Sequence, residues 1–161
     1  MTDPKPFKID IPDADLEVLR QKLELARLPD QPDGYTVKQG VTVPEMSRVV
    51  EHWRTTFLPN WRKHEAKLNE LPMFTKDVQT DGFGKLNIHF IHKRSDVKGA
   101  IPLLFCHGWP GSFIEVTKLL EPLANPPAGK QAFHVVAPSL PNYGFSEGVH
   151  KVCSPISFLL S

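Results

Sequence analysis

The sequence predicts an α/β fold: a helical N-terminal extension followed by the first strands and helix of a sheet-and-helix core. Three observations carry that reading. Residues 101–106, IPLLFC, form a short, nearly continuous apolar run, which suits a strand buried on both faces. His107-Gly108-Trp109-Pro110-Gly111 breaks the run with strong turn residues. Ser112 and Glu115 then make the pattern of a capping box ahead of Phe113, Val116, Leu119, Leu120 and Leu123 at helical spacing. Upstream, residues 1–72 carry helical periodicity punctuated by prolines. Strand, glycine-rich turn and helix make half of a βαβ unit, and ligand chemistry in α/β sheets gathers at such carboxyl ends of strands. Glycines let a reacting group come close to backbone N–H donors, so this turn is an oxyanion hole in outline.

The other elements follow in order. Residues 1–12 read as extended, with Phe7, Ile9 and Ile11 alternating as in an edge strand. Asp13 or Asp15 can cap a helix that runs to about Leu28, with Leu16, Leu19, Leu23 and Ala26 on one face and Pro29 as its stop. A loop over residues 30–42 leads to Pro44, which suits the first turn of a second helix. Met46, Val49, Val50, Trp53 and Phe57 are its expected inward face, and Pro59 ends it. Trp61, Glu65, Leu68 and Leu71 mark a third, shorter helix. Residues 73–80 and 85–94 read as antiparallel strands joined at Asp81-Gly82-Phe83-Gly84. Residues 132–137, AFHVVA, form another short buried strand.

Composition narrows the function classes. At 161 residues the chain has room for one modest domain or part of a larger one. A net charge of +1, with no basic patch carrying interleaved aromatics, argues against a nucleic-acid partner. Cys106 and Cys153 make no disulfide framework, so a reducing compartment is expected. No apolar run approaches the ~20 residues of a membrane span, and the start, MTDPKPFKIDIP, has no secretory h-region. The expectation is a soluble, cytoplasmic protein without a membrane anchor.

Several motifs, in order along residues 5–148, resemble one family. They are RLPDQ at 27–31, WRKHEAKLN at 61–69, LNIHFIH at 86–92, HGWPGSFIEV at 107–116 and PSLPNYGFSEG at 138–148. Together they resemble the epoxide hydrolases of the α/β-hydrolase superfamily, in the branch with an N-terminal extension that includes the microsomal and soluble fungal enzymes. The resemblance implies an extension-like region over residues 1–94, the start of an incomplete α/β-hydrolase core over 95–148, and a divergent tail over 149–161. In that family a carboxylate attacks an epoxide carbon while tyrosines donate to the ring oxygen. A histidine-activated water then hydrolyses the ester to a vicinal diol, with no metal or organic cofactor. The resemblance assigns the Trp109 backbone N–H to the oxyanion hole, gives His107, Gly108 and Pro110 to the substrate-facing turn, and implies a cis Trp109–Pro110 bond.

After Gly148 the resemblance ends. VHKVCSPISFLLS matches neither the family's next helix nor its nucleophile motif, and the nucleophile, acid, base and tyrosines are absent. The chain reads as the front third of such an enzyme, inactive alone, and a gene record cut short would produce such a tail. Strands without their neighbours present open edges, so association with another chain, a second copy included, is the competing reading.

Other candidates weigh less. Gly144-Phe145-Ser146-Glu147-Gly148 formally matches G-x-S-x-G, the elbow of serine esterases. That elbow needs a strand directly before and a helix directly after, and here prolines precede it and no acid–histidine pair follows. His89 and His92, three apart on a strand, point to opposite faces and cannot share a metal. Cys106 is expected as a buried small hydrophobe, and Trp53, Phe57 and Trp61 as helix core.

Overall fold

The computed structural model describes residues 3–150; most of the divergent tail, 151–161, lies outside the described residues. They form two compact units, residues 9–70 and residues 3–8 with 71–150.

In the first unit, helix α1 spans Asp13–Glu24 behind Pro12, which has no side-chain acceptor to cap it. Asp13 and Asp15 instead lie in the first turn, where carboxylates meet the positive end of the helix dipole. Leu23 is buried and Leu16 and Leu19 half-buried, as the spacing predicts. The helix stops at Glu24, short of the expected Leu28. Leu25 is 84 % exposed and gains no burial that would support further turns. Helix α2, Val43–His52, is capped by the Thr42 hydroxyl, which accepts from the Glu45 N–H, and has Pro44 in its first turn. The chain then widens into a π turn over Trp53–Phe57 and tightens into a 3₁₀ turn over Leu58–Asn60, where Pro59 has no N–H to continue the helix. Helix α3 follows over Trp61–Leu68.

The inward face expected for α2 is corrected. Met46, Val49, Trp53 and Phe57 are all exposed, Val49 the most at 46 %, and only Val50 is half-buried. Residues 9–70 are too few to cover both faces of their helices.

Polar side chains of α3 hold this unit's N-terminal segment. Glu65, itself buried, accepts from the Ile11 N–H at 2.8 Å, the Trp61 indole N–H at 3.2 Å and Arg62 at 2.6 Å. Arg62 also donates to the Ile11 carbonyl at 2.8 Å and pairs with Asp13. One turn on, Asn69 accepts from the Ile9 N–H at 2.7 Å and donates to the Ile9 carbonyl at 2.8 Å. Backbone groups that a strand would offer a neighbour are thus bound by side chains. The edge strand expected through Ile11 is reduced to Lys5–Pro6.

That pair is β1 of the second unit, whose other strands are β2 (Met73–Thr80), β3 (Gly84–Lys93), β4 (Ile101–Leu104) and β5 (Phe133–Pro138). They make a five-stranded sheet of order β1-β2-β3-β5-β4, antiparallel except for the parallel β4–β5 pair. The β2–β3 hairpin turns where expected, with Gly82 and Gly84 at φ of +77° and +80°. Between β4 and β5 lie a 3₁₀ turn, Phe113–Val116, and helix α4, Thr117–Ala124, rather than one continuous helix. Phe113, Val116, Leu120 and Ala124 from this crossover are buried, as are Val135 and Ala137 of β5.

Two burial expectations are overturned here. β4 lies at the margin of the described sheet, with Ile101 48 % and Leu104 65 % exposed. Cys106, beyond it, is exposed. An apolar run identifies a strand built for burial, but the described residues supply a neighbour on one side only.

The bonds from the Ile11 N–H, Arg62 and Trp61 hold the Glu65 carboxyl below its ordinary value of 4.5. Its contribution to stability is therefore complete above that value and is lost as the pH falls through the lower folded value. Circular dichroism of thermal unfolding from pH 7 down to about 3 is expected to show this loss. In Glu65→Gln that share of the acid dependence disappears and the helices melt earlier at neutral pH.

Candidate functional site

Because β4 and β5 run parallel, the turns leaving their carboxyl ends lie at the same end of the sheet. The first turn begins after Phe105, whose N–H still bonds the Val136 carbonyl at 2.9 Å. His107, only 4 % exposed, reaches back into the structure. Its Nε2 accepts from the Leu140 N–H at 3.1 Å and its Nδ1 lies 3.0 Å from the Gly108 carbonyl oxygen. The ring packs edge-on to Tyr143 at 5.1 Å. Gly108, Trp109 and Pro110 are exposed, Trp109 at 83 %, and the Trp109–Pro110 peptide is cis.

Gly111 is a glycine for want of space. A Cβ there would stand 2.7 Å from the Gly108 oxygen and 1.9 Å from Glu115 Oε1. The capping box forms as predicted: Ser112 Oγ accepts from the Ile114 N–H at 3.3 Å, and Glu115 Oε1 accepts from the Ser112 N–H at 3.2 Å. Among the described residues nothing accepts from the Trp109 N–H. The turn thus presents a backbone donor beside glycines on an exposed rim.

The second turn, residues 138–149, is fastened to β3. The Ser139 N–H donates to the His89 carbonyl at 2.8 Å and the Glu147 N–H to the Asn87 carbonyl at 2.8 Å. A Glu147 carboxylate oxygen takes the Asn87 N–H at 2.8 Å in return. Ser146 Oγ accepts from the His89 N–H at 2.9 Å and donates to the Ser139 carbonyl at 2.6 Å. Its hydroxyl thereby ties β3 to the chain leaving β5, and no helix follows it among the described residues. Asn142 adopts φ +70°, a conformation asparagine tolerates, and its Oδ1 accepts from the Val149 N–H at 2.9 Å. Gly144, at φ +54°, leaves room for Ser139, whose Oγ would lie 2.5 Å from a Cβ there.

Beneath this turn His89 is fully buried. Phe7, Phe113 and Phe145 surround its ring at centroid distances of 5.0, 4.9 and 5.4 Å. Nδ1 bonds Ser139 Oγ at 2.9 Å, while Nε2 has no hydrogen-bond partner among the described residues. His92 is half-buried, and among the described residues no group of three or more His, Cys, Asp or Glu could hold a metal. The sequence identifies the first turn and leaves the His89–Ser139 pair unmarked, since a histidine on an alternating strand and a serine between prolines are common in themselves.

Burial pushes the His89 imidazole from 6.5 down to about 4. The neutral ring's contribution to stability is present in full above pH 6.5 and is lost between there and about 4, where only the unfolded chain takes up the proton. Urea unfolding over that range is expected to lose on the order of 3 kcal/mol through this group. His89→Gln, uncharged throughout, is expected to remove that loss.

Comparison with known proteins agrees with this architecture. The family described as "Epoxide hydrolase N terminus" matches residues 4–116. Juvenile hormone epoxide hydrolase 1 of Ctenocephalides felis is 36% identical over 151 residues, which is 91% of this chain and 31% of that protein. The structure of Aspergillus niger epoxide hydrolase superposes with a TM-score of 0.74 at 35% identity, covering 91% of this chain and 37% of that one. Juvenile hormone epoxide hydrolase from Bombyx mori superposes with a TM-score of 0.77 at 29% identity, covering 94% and 39%. The chain therefore spans about a third of the length of the curated relatives it matches. A matched family over most of its length, and a sheet and helices that follow the solved relatives, establish that this chain belongs to the epoxide hydrolase family.

Proposed function

We propose that the Trp109 N–H is an oxyanion-hole donor for an enzyme that opens small-molecule epoxides to vicinal diols without a cofactor. The observation that carries this is a backbone donor, unclaimed among the described residues, on an exposed, glycine-flanked turn at the carboxyl ends of two parallel strands. In the proposed reaction a carboxylate opens the epoxide and forms an ester. Water then adds to the ester carbonyl, and the negative charge gathering on its oxygen needs a fixed donor. Removing one such donor costs about 3–4 kcal/mol of barrier stabilisation. Gly108 and Pro110 shape the turn around the substrate, and His107 supports it from below. In this reading residues 1–94 form the extension, 95–148 the start of the core and 149–161 a divergent tail, in a cytoplasmic protein.

The nucleophile, acid and base have no candidates in these 161 residues that match the family's motifs, so the chain alone supplies one arm of the site. Purified chain is expected to give no hydrolysis of styrene oxide above background, followed by chromatographic detection of the diol. Steady turnover by clean protein would overturn the assignment of an incomplete site.

A second reading, association with another copy through the open margin of the sheet, is favoured by β4. Ile101 and Phe105 turn their N–H groups to β5, so residues 102 and 104 face outward. Pro102 has no N–H to offer there, which leaves the Leu104 half of the edge open to pairing. Light scattering behind size exclusion is expected to show a mass that rises with concentration, and Leu104→Lys to shift it towards the monomer. A monomer at every concentration would remove this reading.

A further inference from the structure

We infer that His107 is the positioning residue that aims the Trp109 N–H, an assignment that rests on the oxyanion reading above. The geometry determines which ring nitrogen carries the hydrogen. A backbone N–H can only donate, so Nε2, 3.1 Å from the Leu140 nitrogen, is an acceptor and bears no hydrogen. A carbonyl oxygen can only accept, so Nδ1, 3.0 Å from Gly108 O, is the donor. One tautomer satisfies both partners, and it is neutral.

The consequence passes through the peptide plane. The Gly108–Trp109 bond is trans, since the cis peptide lies at Trp109–Pro110. In a planar trans peptide the carbonyl and the N–H point in opposite directions. Holding the Gly108 oxygen against the buried His107 ring therefore turns the Trp109 N–H away from that ring. Gly111 closes the other approach, because a side chain there would meet the same oxygen at 2.7 Å. The far side of the ring is anchored by Leu140, in the segment that Ser139 and Ser146 fasten to β3. A donor on an exposed rim is thereby held in one direction by a buried imidazole.

The test reads the tautomer and the peptide directly. Chain carrying ¹⁵N-histidine is examined by solid-state ¹⁵N magnetic resonance at about pH 8, where associated and monomeric protein are equally readable. Of the seven histidines, the one missing from the His107→Gln spectrum is His107. Its expected signature is a protonated Nδ1 and an unprotonated Nε2. Chain labelled with ¹³C′-glycine and ¹⁵N-tryptophan marks the Gly108–Trp109 peptide alone, because Trp53 and Trp61 do not follow glycine. That signal is expected to shift or broaden in His107→Leu and to be restored in His107→Gln, whose amide can both donate and accept. A ring protonated at Nε2, an unmoved peptide signal in His107→Leu, or no difference between the two variants overturns the assignment. No substrate enters these spectra. A complete enzyme that failed to open epoxides would remove the oxyanion reading and leave the tautomer intact, whereas the wrong tautomer would remove the aiming role and leave the reaction open.

Discussion

The structure of the sheet unit depends on β5 being bonded on both flanks, antiparallel to β3 and parallel to β4. The parallel partnership requires a crossover, supplied by the 3₁₀ turn and α4, and it brings two strand ends and their turns together. The antiparallel partnership carries β3 past the second turn, so that backbone groups of Asn87 and His89 are available to fasten it. Each turn would be a loose connection on its own. Side by side, they share the Leu140–His107 hydrogen bond, which neither sequence segment could make locally.

Apart from His89 Nε2, the polar groups under those turns are arranged for satisfaction more than for reaction. Ser146 has the sequence context of a nucleophile, yet its hydroxyl is already occupied as an acceptor from one strand and a donor towards the other. His89 lies among phenylalanines where a charge would be costly, with Ser139 Oγ bonded to its ring at Nδ1. Leaving such a group unpaired would cost about 1–3 kcal/mol, which explains why the turn is stitched by several short bonds and not by apolar contact alone. The exposed groups, by contrast, are those of the first turn, whose Trp109 amide has no acceptor among the described residues.

Much of this was legible in the residues. Turn chemistry at 81–84 and 107–111, the Ser112–Glu115 cap and the Pro44 helix start are local rules, and local rules hold when the partner is within a few residues. The differences from expectation share a cause of another kind. The IPLLFC run states that burial is wanted and cannot state that a neighbour is present, so it predicts β4 and Cys106 inside where the structure has them exposed. The same holds for Met46, Val49, Trp53 and Phe57 on the helical unit. Residues 9–11 have the alternation of a strand, but Glu65 and Asn69, more than fifty positions away, take the backbone groups first. The Leu140–His107 bond is invisible in sequence because any residue but proline could donate that N–H. Only the geometry gives it a meaning.

Trp109 has a further bearing on how this protein can be watched. The other two tryptophans, Trp53 and Trp61, belong to residues 9–70, while Trp109 is alone in the sheet unit and already stands in solvent. An indole exposed in the native state changes its surroundings little when the chain around it comes apart. Changes in intrinsic emission on unfolding therefore report mainly on the helical unit, and the sheet unit could lose its order almost silently. The same indole becomes informative when something settles over the turn, since quenching or a blue shift would then arise at the rim beside the Trp109 amide.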